Sequence, residues 1–576
     1  MWSAVALATP AGAEPPPFGS AATPSPFGSA VAPTFNAVPA VPGTAGDDAE
    51  ATSAPAGRDT AVPLVQRRDA AAAPASLFSP YTRLGDFGIA DARTRPGAGR
   101  DWSILPSLGL QVAGTDNALL RNGADRRADF ITTATPGVLA AADTTWLRGA
   151  LNYAPIAQVY ASTPKQDRVD QRFIGQGLAT LVPDRVFLDA RGFSTAQVAA
   201  GGFAPQSTSV AVDRRDTVQT TVFQVSPYLV HRFGSAATAQ LGYAFQYGNQ
   251  DGNTLTAPGT AQPFFTSQHY TAHEGFALLR TGEDFGRVAL QARLDGTTFD
   301  GTGVLDNAHR TFGTVEARYA LTPGISALVE GGYEDQRYAG TPGLRIQGEV
   351  WTAGASLRPS PDTVVLAGYR HIDGFNAPFL NARIPVGGRT VLFASYNDRL
   401  STPLRRTQSL LATTSVDALG NPSDIETGAP LVTADSFLAV QSSLFRIRTA
   451  SASASQIWIR DTVTLTLLSE ERLPVSTAPG LIAFKQRGTS GSASWQHEIG
   501  PRTASLGYLQ YGTITSGLGS GDVFTVGASL AHSFSEDLVG LLQFVHTERS
   551  LDQPGSHNIQ NIVLAGLRMT FNGWGR

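Results

Sequence analysis

From Trp102 onward, apolar and polar side chains alternate in segments that recur about every 21 residues. Successive side chains of a β-strand point to opposite faces, so this period of two predicts a long series of strands, each with one apolar face. The clearest apolar sets are Val186, Leu188 and Ala190; Leu241, Tyr243, Phe245 and Tyr247; Val288, Leu290, Ala292 and Leu294; and Val315, Ala317 and Tyr319.

The separators between the segments alternate short with long. Ala142-Asp143 and Gly234-Ser235 are typical short ones, whereas Asn249 to Ser267 is typical of the longer ones. A soluble β-sandwich gives no reason for this rhythm, but outer-membrane barrels have short periplasmic turns and longer extracellular loops. The pattern therefore predicts an all-β fold: a transmembrane antiparallel β-barrel of about 22 strands, within a range of about 18–24. Thr515 to Gly521 counts among the longer connections, and Gly374 to Ala377 is short where a long one is expected.

The last segment, Asn558 to Phe571, has the pattern of a closing barrel strand. Its lipid-facing residues are predicted to be Val563, Leu567, Met569 and Phe571. The other face carries Arg568 and Thr570 but also Ile562 and Leu564, so this segment alone would equally fit a half-buried strand of a soluble sandwich.

Charged residues occupy the face opposite the apolar sets and are predicted to line a wet lumen. The predicted lumen residues are Arg148, Asp189, Arg191, Arg293, Asp295, Glu316, Arg318, Glu330, Arg370 and Arg568. Both signs of charge are present. Opposed rows would create a transverse field that favours hydrated solutes, while pairing across neighbouring strands would stiffen the wall; we expect pairing for most of them.

Composition favours the membrane barrel over the sandwich. Only 16% of residues are charged, against about 25% in ordinary soluble proteins. No apolar run reaches the length of about 18 residues that a transmembrane helix needs, so a membrane could be crossed only by a closed barrel. A net charge of -4 gives no indication of nucleic-acid binding. The absence of cysteine excludes disulfides, thiolate metal sites and cysteine nucleophiles.

The chain divides into four predicted segments. Residues 1–13 end in a small-x-small site and are interpreted as the remnant of a signal peptide with a truncated start, the alternative being an ordinary alanine-rich start. Residues 14–100, rich in Pro and Ala, are predicted to be a disordered periplasmic lead-in because they cannot bury enough apolar surface to fold. Residues 101–571 form the predicted barrel, and residues 572–576 a short C-terminal extension.

Several stretches of the barrel region resemble a known family. They are P-S-L-G-L-Q-V-A-G-T-D-N from Pro106, D-F-I-T-T-A-T-P-G-V from Asp129, D-R-V-D-Q-R from Asp167, V-F-L-D-A-R-G from Val186, S-P-Y-L-V-H-R-F-G from Ser226 and V-H-T-E-R-S from Val545. With the closing strand, they are similar to the β-barrel porins of Gram-negative bacteria, including outer-membrane proteins encoded beside exopolysaccharide and exosortase genes. The resemblance implies an outer-membrane barrel, and it supplies no catalytic or ligand residue to carry over.

Catalytic motifs find little support. His273-Glu274 and His497-Glu498 begin like a zinc-protease motif, but the fifth positions are Ala277 and Pro501, so H-E-x-x-H does not occur. A G-x-S-x-G elbow and a P-loop do not occur either. The sequence therefore predicts no enzyme, no cofactor and no metal. An outer-membrane hydrolase with a dispersed triad is a disfavoured alternative.

The predicted function is an outer-membrane pore, either a passive channel or the outer-membrane conduit of an exopolysaccharide export system. Its expected partners are outer-membrane lipid, the barrel-assembly machinery and a polysaccharide with its export apparatus, and no nucleic acid. One alternative is a non-conducting scaffold that binds polymer. Another is a TonB-dependent transporter, whose plug would have to lie in residues 1–100, and that segment lacks the necessary length and apolar pattern.

The longest connection, residues 401–437, carries Arg405 and Arg406 together with Asp417, Asp424 and Glu426. A connection of this length without structure of its own would be unusual. We therefore predict that it folds into the lumen and narrows the pore. The alternative is a binding surface that stands outward.

Overall fold

The structure is a computed structural model, and it describes residues 102–199, 211–257, 261–360, 362–416, 422–424, 438–517, 519–552, 557–571 and 574–575. Within these residues, 25 antiparallel segments form one hydrogen-bonded sheet. Three of the segments continue a neighbouring strand across a short interruption, so the sheet is a closed barrel of 22 strands. The predicted fold class is thereby confirmed. Residues 1–101, including the signal-like start and the predicted lead-in, lie outside the described part.

The barrel strands are numbered here in chain order. They are β1 Trp102–Thr115, β2 Asp129–Asp143, β3 Leu147–Tyr153 with Ile156–Tyr160, β4 Arg168–Asp170 with Phe173–Val182, β5 Val186–Val198, β6 Thr217–Phe233, β7 Ala237–Gly252, β8 Gln268–Thr281, β9 Val288–Gly301, β10 His309–Thr322, β11 Ile325–Tyr338, β12 Leu344–Leu357, β13 Val364–Ile372, β14 Phe375–Val386, β15 Thr390–Ser401, β16 Ser443–Ile457, β17 Asp461–Thr477, β18 Gln486–Gly500, β19 Thr503–Ser516, β20 Gly519–Ser533, β21 Leu538–Leu551 and β22 Asn558–Thr570 with Trp574–Gly575. The part of the chain that the structure describes has one α-helix, α1, which spans Pro403–Thr413.

The barrel closes where β1 pairs with β22, in a register that runs from Ser107↔Thr570 to Thr115↔Ile562. Beyond β22, Trp574 and Gly575 pair with Ile104 and Ser103 of β1. The predicted C-terminal extension therefore includes two residues that continue the sheet.

The connections follow the predicted rhythm with two exceptions. Each even-numbered strand up to β20 leads into the next by a short turn, and these turns define the short-turn end of the barrel. The opposite end, here called the long-connection end, includes a tight turn at Asp373-Gly374, where both residues have positive φ. A longer connection at Thr515 to Gly521 was a wrong prediction, because Thr515 pairs with Ser520 and Ser516 with Gly519, which extends both strands.

Exposure alternates along the strands and separates the two faces of the wall. On β22 and at the residue after Thr570, Val563, Leu567, Met569 and Phe571 are exposed by 42–55%, whereas Ile562 and Leu564 are buried. Ile562 and Leu564, the apolar residues on the otherwise polar face of the closing strand, therefore point to the barrel interior. Among the described helices, none has the length and apolar character needed to span a membrane.

Candidate functional site: the barrel interior and the segment after β15

Helix α1 starts immediately after β15, and its N-terminus is set by Thr402-Pro403. The hydroxyl of Thr402 accepts a hydrogen bond from the backbone N–H of Arg405 at 3.1 Å, which is the contact an N-cap residue makes. Proline is favoured at the first helical position because its missing N–H would be unpaired there anyway. Thr402 and Leu404 are fully buried, so the helix starts inside the protein.

Two arginines attach α1 to the barrel wall at two separate places. Arg405 donates to the hydroxyl of Tyr338 on β11 at 2.8 Å, and its guanidinium lies 4.6 Å from the ring centre of Phe299 on β9. Arg406 donates to the carboxylate of Glu470 on β17 at 2.7 Å. These are the two arginines of the predicted constriction loop.

The C-terminal half of α1 reaches the opposite side of the wall. The side chain of Gln408 donates to Gln224 on β6 at 3.3 Å. Arg191 on β5 donates to the carbonyl of Leu411 at 2.9 Å. Half of the strands separate β6 from β17, so in a closed barrel these two anchor points lie across the interior from one another. Helix α1 therefore bridges the interior.

The end of the same connection, residues 438–442, is also inside the barrel. All five of its residues are buried. The backbone N–H of Val440 donates to the carbonyl of Ala199 at 2.9 Å, and that of Ser442 to the carbonyl of Phe264 at 3.1 Å. Leu438 packs against Ile514 and Val523 on β19 and β20. The described parts of this connection thus agree with the predicted inward path, while Asp417 and Glu426 lie outside the described residues.

Most of the predicted lumen residues lie in ion pairs on the inner face. Asp189 pairs with Arg191 at 2.8 Å and Arg293 with Asp295 at 2.9 Å. Glu316 contacts Arg318 in the same way. In each pair the two residues are separated by one position on the same strand, which places both side chains on one face. Pairing across neighbouring strands was expected, whereas these three pairs form along a single strand.

The remaining predicted residues are spread from one end of the barrel to the other. Arg148 pairs with Asp143 at 3.2 Å beside the first short turn. Glu330 accepts from the hydroxyl of Thr352 at 3.1 Å. Arg370 is almost completely buried and donates to Asn397 at 2.7 Å. Arg568 is partly exposed near the short-turn end of β22.

Sequence reasoning missed the Glu470–Arg472 pair, whose Oε1 and Nε atoms are 2.7 Å apart. Glu470 is the residue that holds Arg406 of α1, so it belongs to the centre of the site. The signal was obscured because Glu471, the next residue, is also charged but points to the outer face, where it pairs with Arg448. Strict separation of odd and even positions in Ser469 to Arg472 would have identified the pair.

At the long-connection end, the connection after β1 and the connection after β5 are joined to each other and to β22. The side chain of Gln560 on β22 donates to the carbonyls of Asn117 and Ala211, each at 2.6 Å. Arg121 pairs with Asp213 at 2.9 Å. Burial acts to raise the pKa of Asp213, but hydrogen bonds from the backbone N–H of Arg215 and from Arg121 outweigh it and hold the pKa below its ordinary value.

Metal chemistry has no candidate in the described part of the chain, where three or more His, Asp or Glu side chains nowhere come together in a way that could hold an ion. The two His-Glu dipeptides are also accounted for. Glu274 accepts a hydrogen bond from Gln246 at 2.7 Å, and His497 lies 2.8 Å from Asp461.

The class that the geometry defines is a 22-stranded β-barrel whose interior is bridged by one of its own connections. No protein-family model matches the sequence. No curated protein matches it either.

The solved structures of similar architecture include receptors and transporters. The ferric-catecholate import receptor Fiu from E. coli K12, in its closed form, has a TM-score of 0.45 and 11% identity over 82% of each chain. The apoprotein form of the FrpB iron transporter from Neisseria meningitidis has a TM-score of 0.46 and 9% identity, again over 82% of each chain. The siderophore receptor PirA from Pseudomonas aeruginosa has a TM-score of 0.40 and 10% identity over 81% of this chain and 80% of that one. Likeness at this level says nothing about function, and the fold rests on the strand pairing described above.

Proposed function

We propose that this protein is a channel of the Gram-negative outer membrane, and that α1 with residues 438–442 sets the width of its passage. The observation that carries the proposal is the attachment of α1 to opposite walls, to Glu470 on one side and Gln224 on the other. A barrel of this strand number encloses more space than its own inward side chains can fill. A segment that bridges this space is placed to narrow it.

The outer face supports a membrane location. Leu241, Leu294, Val315 and Leu467 are each more than half exposed on successive parts of the wall. Exposed aromatic side chains lie toward both edges of this apolar surface. Toward the long-connection end they include Tyr333, Tyr369 and Tyr511, and toward the short-turn end Trp146, Phe233, Trp458, Phe534 and Phe571. An apolar band between two aromatic girdles is the pattern of barrels that stand in an outer membrane.

The interior supports a polar but not strongly charged cargo. Asp189–Arg191, Arg293–Asp295 and Glu470–Arg472 are close ion pairs, so much of the wall charge is neutralised locally. Such a surface offers hydrogen bonds without a large net field. Hydrated carbohydrate is the cargo class that fits, in keeping with the resemblance to barrels encoded beside exopolysaccharide genes.

Single-channel recording in planar bilayers tests the proposal. Deleting Gln408 to Pro430 removes the second half of α1, and we expect a higher conductance than that of the intact protein. The matched control deletes residues 425–430 only and leaves α1 in place, so its conductance should stay close to that of the intact protein. Both variants must first show the shift in electrophoretic mobility on heating that marks an assembled barrel. An assembled long deletion that conducts no better than the intact protein would favour the non-conducting scaffold.

A further inference from the structure

The outer face of β15–β18 changes from aliphatic to charged in regular rows. Leu392, Ala454, Leu465 and Ala493 are register partners across the four strands. Four residues further along β15, the row is Tyr396, Ala450, Ser469 and Thr489. The next outward row is Asp398, Arg448, Glu471 and Arg487. At a rise of about 3.3 Å per residue, the charged row lies about 20 Å from the aliphatic row.

Positive charge is in excess on this surface, which we call the β15–β18 cationic surface. Asp398 pairs with Arg446 at 2.7 Å and with Arg448 at 3.2 Å. Glu471 pairs with Arg448 at 3.0 Å and with Lys485 at 2.6 Å. Arg487 is exposed and forms no ion pair with any described residue. Three cationic side chains thus share two carboxylates and Arg487 pairs with neither, so the surface carries a net excess of two positive charges.

The arginines of this surface are held in place before any ligand binds. The guanidinium of Arg446 lies 3.9 Å from the ring centre of Phe375 and is paired with the buried carboxylate of Asp398. Arg448 is fixed between Asp398 and Glu471. Side chains that are already ordered lose little conformational entropy on binding, and a guanidinium presents a fork of donors that suits phosphate oxygens.

Two other parts of the outer face, near the same edge of the apolar surface, do not carry an excess of positive charge. On β20 and β21 the outward residues are Asp522 and Glu548, whose register partners Thr513 and Phe524 are uncharged. On β11 and β12, the acidic Asp335 and Glu349 lie nearer the middle of the wall than the basic register partners Arg337 and Arg345. The β15–β18 cationic surface therefore differs from both by its excess of positive charge directly above an apolar wall.

We propose that the β15–β18 cationic surface binds the phosphate groups of a glycolipid of the outer leaflet, with lipid A as the chemical class. The aliphatic row would contact acyl chains, and the row with the hydroxyl groups of Tyr396, Ser469 and Thr489 would lie at the boundary between acyl chains and headgroups. Arg448, Lys485 and Arg487 would contact the phosphates. Arginine and phosphate form charge-assisted, frequently bidentate hydrogen bonds. This inference rests on the proposed membrane location, but it is independent of whether the barrel conducts.

The experiment uses the full-length protein inserted into phosphatidylethanolamine vesicles that contain diphosphoryl lipid A. After detergent extraction, the lipid A that remains bound is quantified by mass spectrometry. Arg448→Gln with Arg487→Gln should reduce retention about tenfold, equivalent to about 1.4 kcal/mol, because two of the guanidinium groups that would contact the phosphates are removed. The matched control, Arg337→Gln with Arg345→Gln, removes the same charge from another sector and should retain lipid A like the intact protein.

The single variant Arg487→Gln protects the test against misfolding, because Arg487 is exposed and unpaired; it should still lower retention severalfold. Dephosphorylated lipid A should be retained poorly by the intact protein, and inorganic phosphate at millimolar concentration should not displace the diphosphoryl lipid. Equal retention by the two double variants would overturn the proposal, as would full displacement by inorganic phosphate. Failure of the intact protein to insert into vesicles would instead overturn the membrane location itself, whereas insertion without lipid A preference would overturn only the lipid site.

Discussion

Leu567 and Thr570 are close neighbours on β22, but their side chains lie on opposite faces of the wall. Leu567 is half exposed on the outer face, in line with Val563 and Met569. Thr570 belongs to the alternate set that points inward, and it pairs with Ser107 of β1. A single residue of register therefore decides between the outer face and the barrel interior.

The first prediction follows from this separation. Leu567→Arg should destabilise the barrel in lipid vesicles, lowering its free energy of unfolding by about 2–4 kcal/mol if the site lies near the middle of the bilayer. The reason is that a charge on the lipid face is poorly solvated. Thr570→Arg should cost clearly less, since its side chain can reach water inside the barrel. Both are measured by urea titration of refolding into vesicles. Equal losses for the two variants would show that the assignment of faces is incorrect.

The second prediction concerns Asp213, which is outside the barrel strands. In the folded protein the pKa of Asp213 is lower than in the unfolded chain, where it is about 3.9. The ionised carboxylate therefore contributes its full stabilisation above about pH 3.9, and this stabilisation is lost as the pH falls through the pKa of the folded state. Limited proteolysis of the connection between β5 and β6 should therefore accelerate below about pH 4. Asp213→Asn should give the faster cleavage already at neutral pH and should remove the pH dependence. Unchanged cleavage in this variant would contradict the role of the Arg121–Asp213 pair.

At the scale of elements, α1 differs from the strands because it is held by a few side-chain contacts and not by a backbone ladder. Glu470 forms ion pairs with both Arg406 of α1 and Arg472 of its own strand, and it is almost completely buried. Removing one partner of a buried ion pair leaves an uncompensated charge, which costs about 3–5 kcal/mol. Helix α1 is therefore the element whose position should respond most to a single substitution.

The third prediction uses two adjacent glutamates on opposite faces. Glu470→Gln should loosen α1 and produce more frequent transitions to a higher conductance level in single-channel recordings. Glu471→Gln is the matched control, because Glu471 pairs with Arg448 and Lys485 on the outer face. Its recordings should resemble those of the intact protein. If both variants behave alike, Glu470 does not anchor the constriction.

At the scale of the whole molecule, closure of the sheet creates an interior whose electrostatic character depends on pairing. Glu316 and Arg318 both lie on the inner face of β10, in contact with one another. Since such pairs neutralise charge locally, a barrel that conducts as proposed should discriminate only weakly between small anions and cations. The preference for anions or cations should change when one member of an ion pair is neutralised.

The fourth prediction tests this directly. Glu316→Gln leaves Arg318 without this carboxylate partner and should shift the reversal potential in a potassium chloride gradient toward anion preference. Glu349→Gln removes the same charge from the exposed outer face of β12 and should leave the reversal potential unchanged. A shift of the same size in both variants would mean that charge on the whole protein, not inside the passage, sets selectivity.

Strand number, facing and most turns were predictable because each depends on local pattern. Alternation along Leu241 to Tyr247 or Val563 to Phe571 needs only a period of two, and the separators mark where each strand ends. The error at Thr515 to Gly521 arose because polar residues such as Thr515 and Ser516 occur both in loops and at the ends of strands. Only the pairing with β20 decides between the two.

Contacts between distant parts of the chain required the tertiary structure. Closure places β6 opposite β17, and only then can Gln408 reach Gln224 while Arg406 reaches Glu470. The length of the connection and its two arginines indicated an inward path, but no local pattern identifies their partners. The same holds for the stacking of Arg446 on Phe375. Alternation along a strand specifies which face a side chain occupies, whereas the identity of its neighbour on that face depends on registers and strand curvature set by the whole closed sheet.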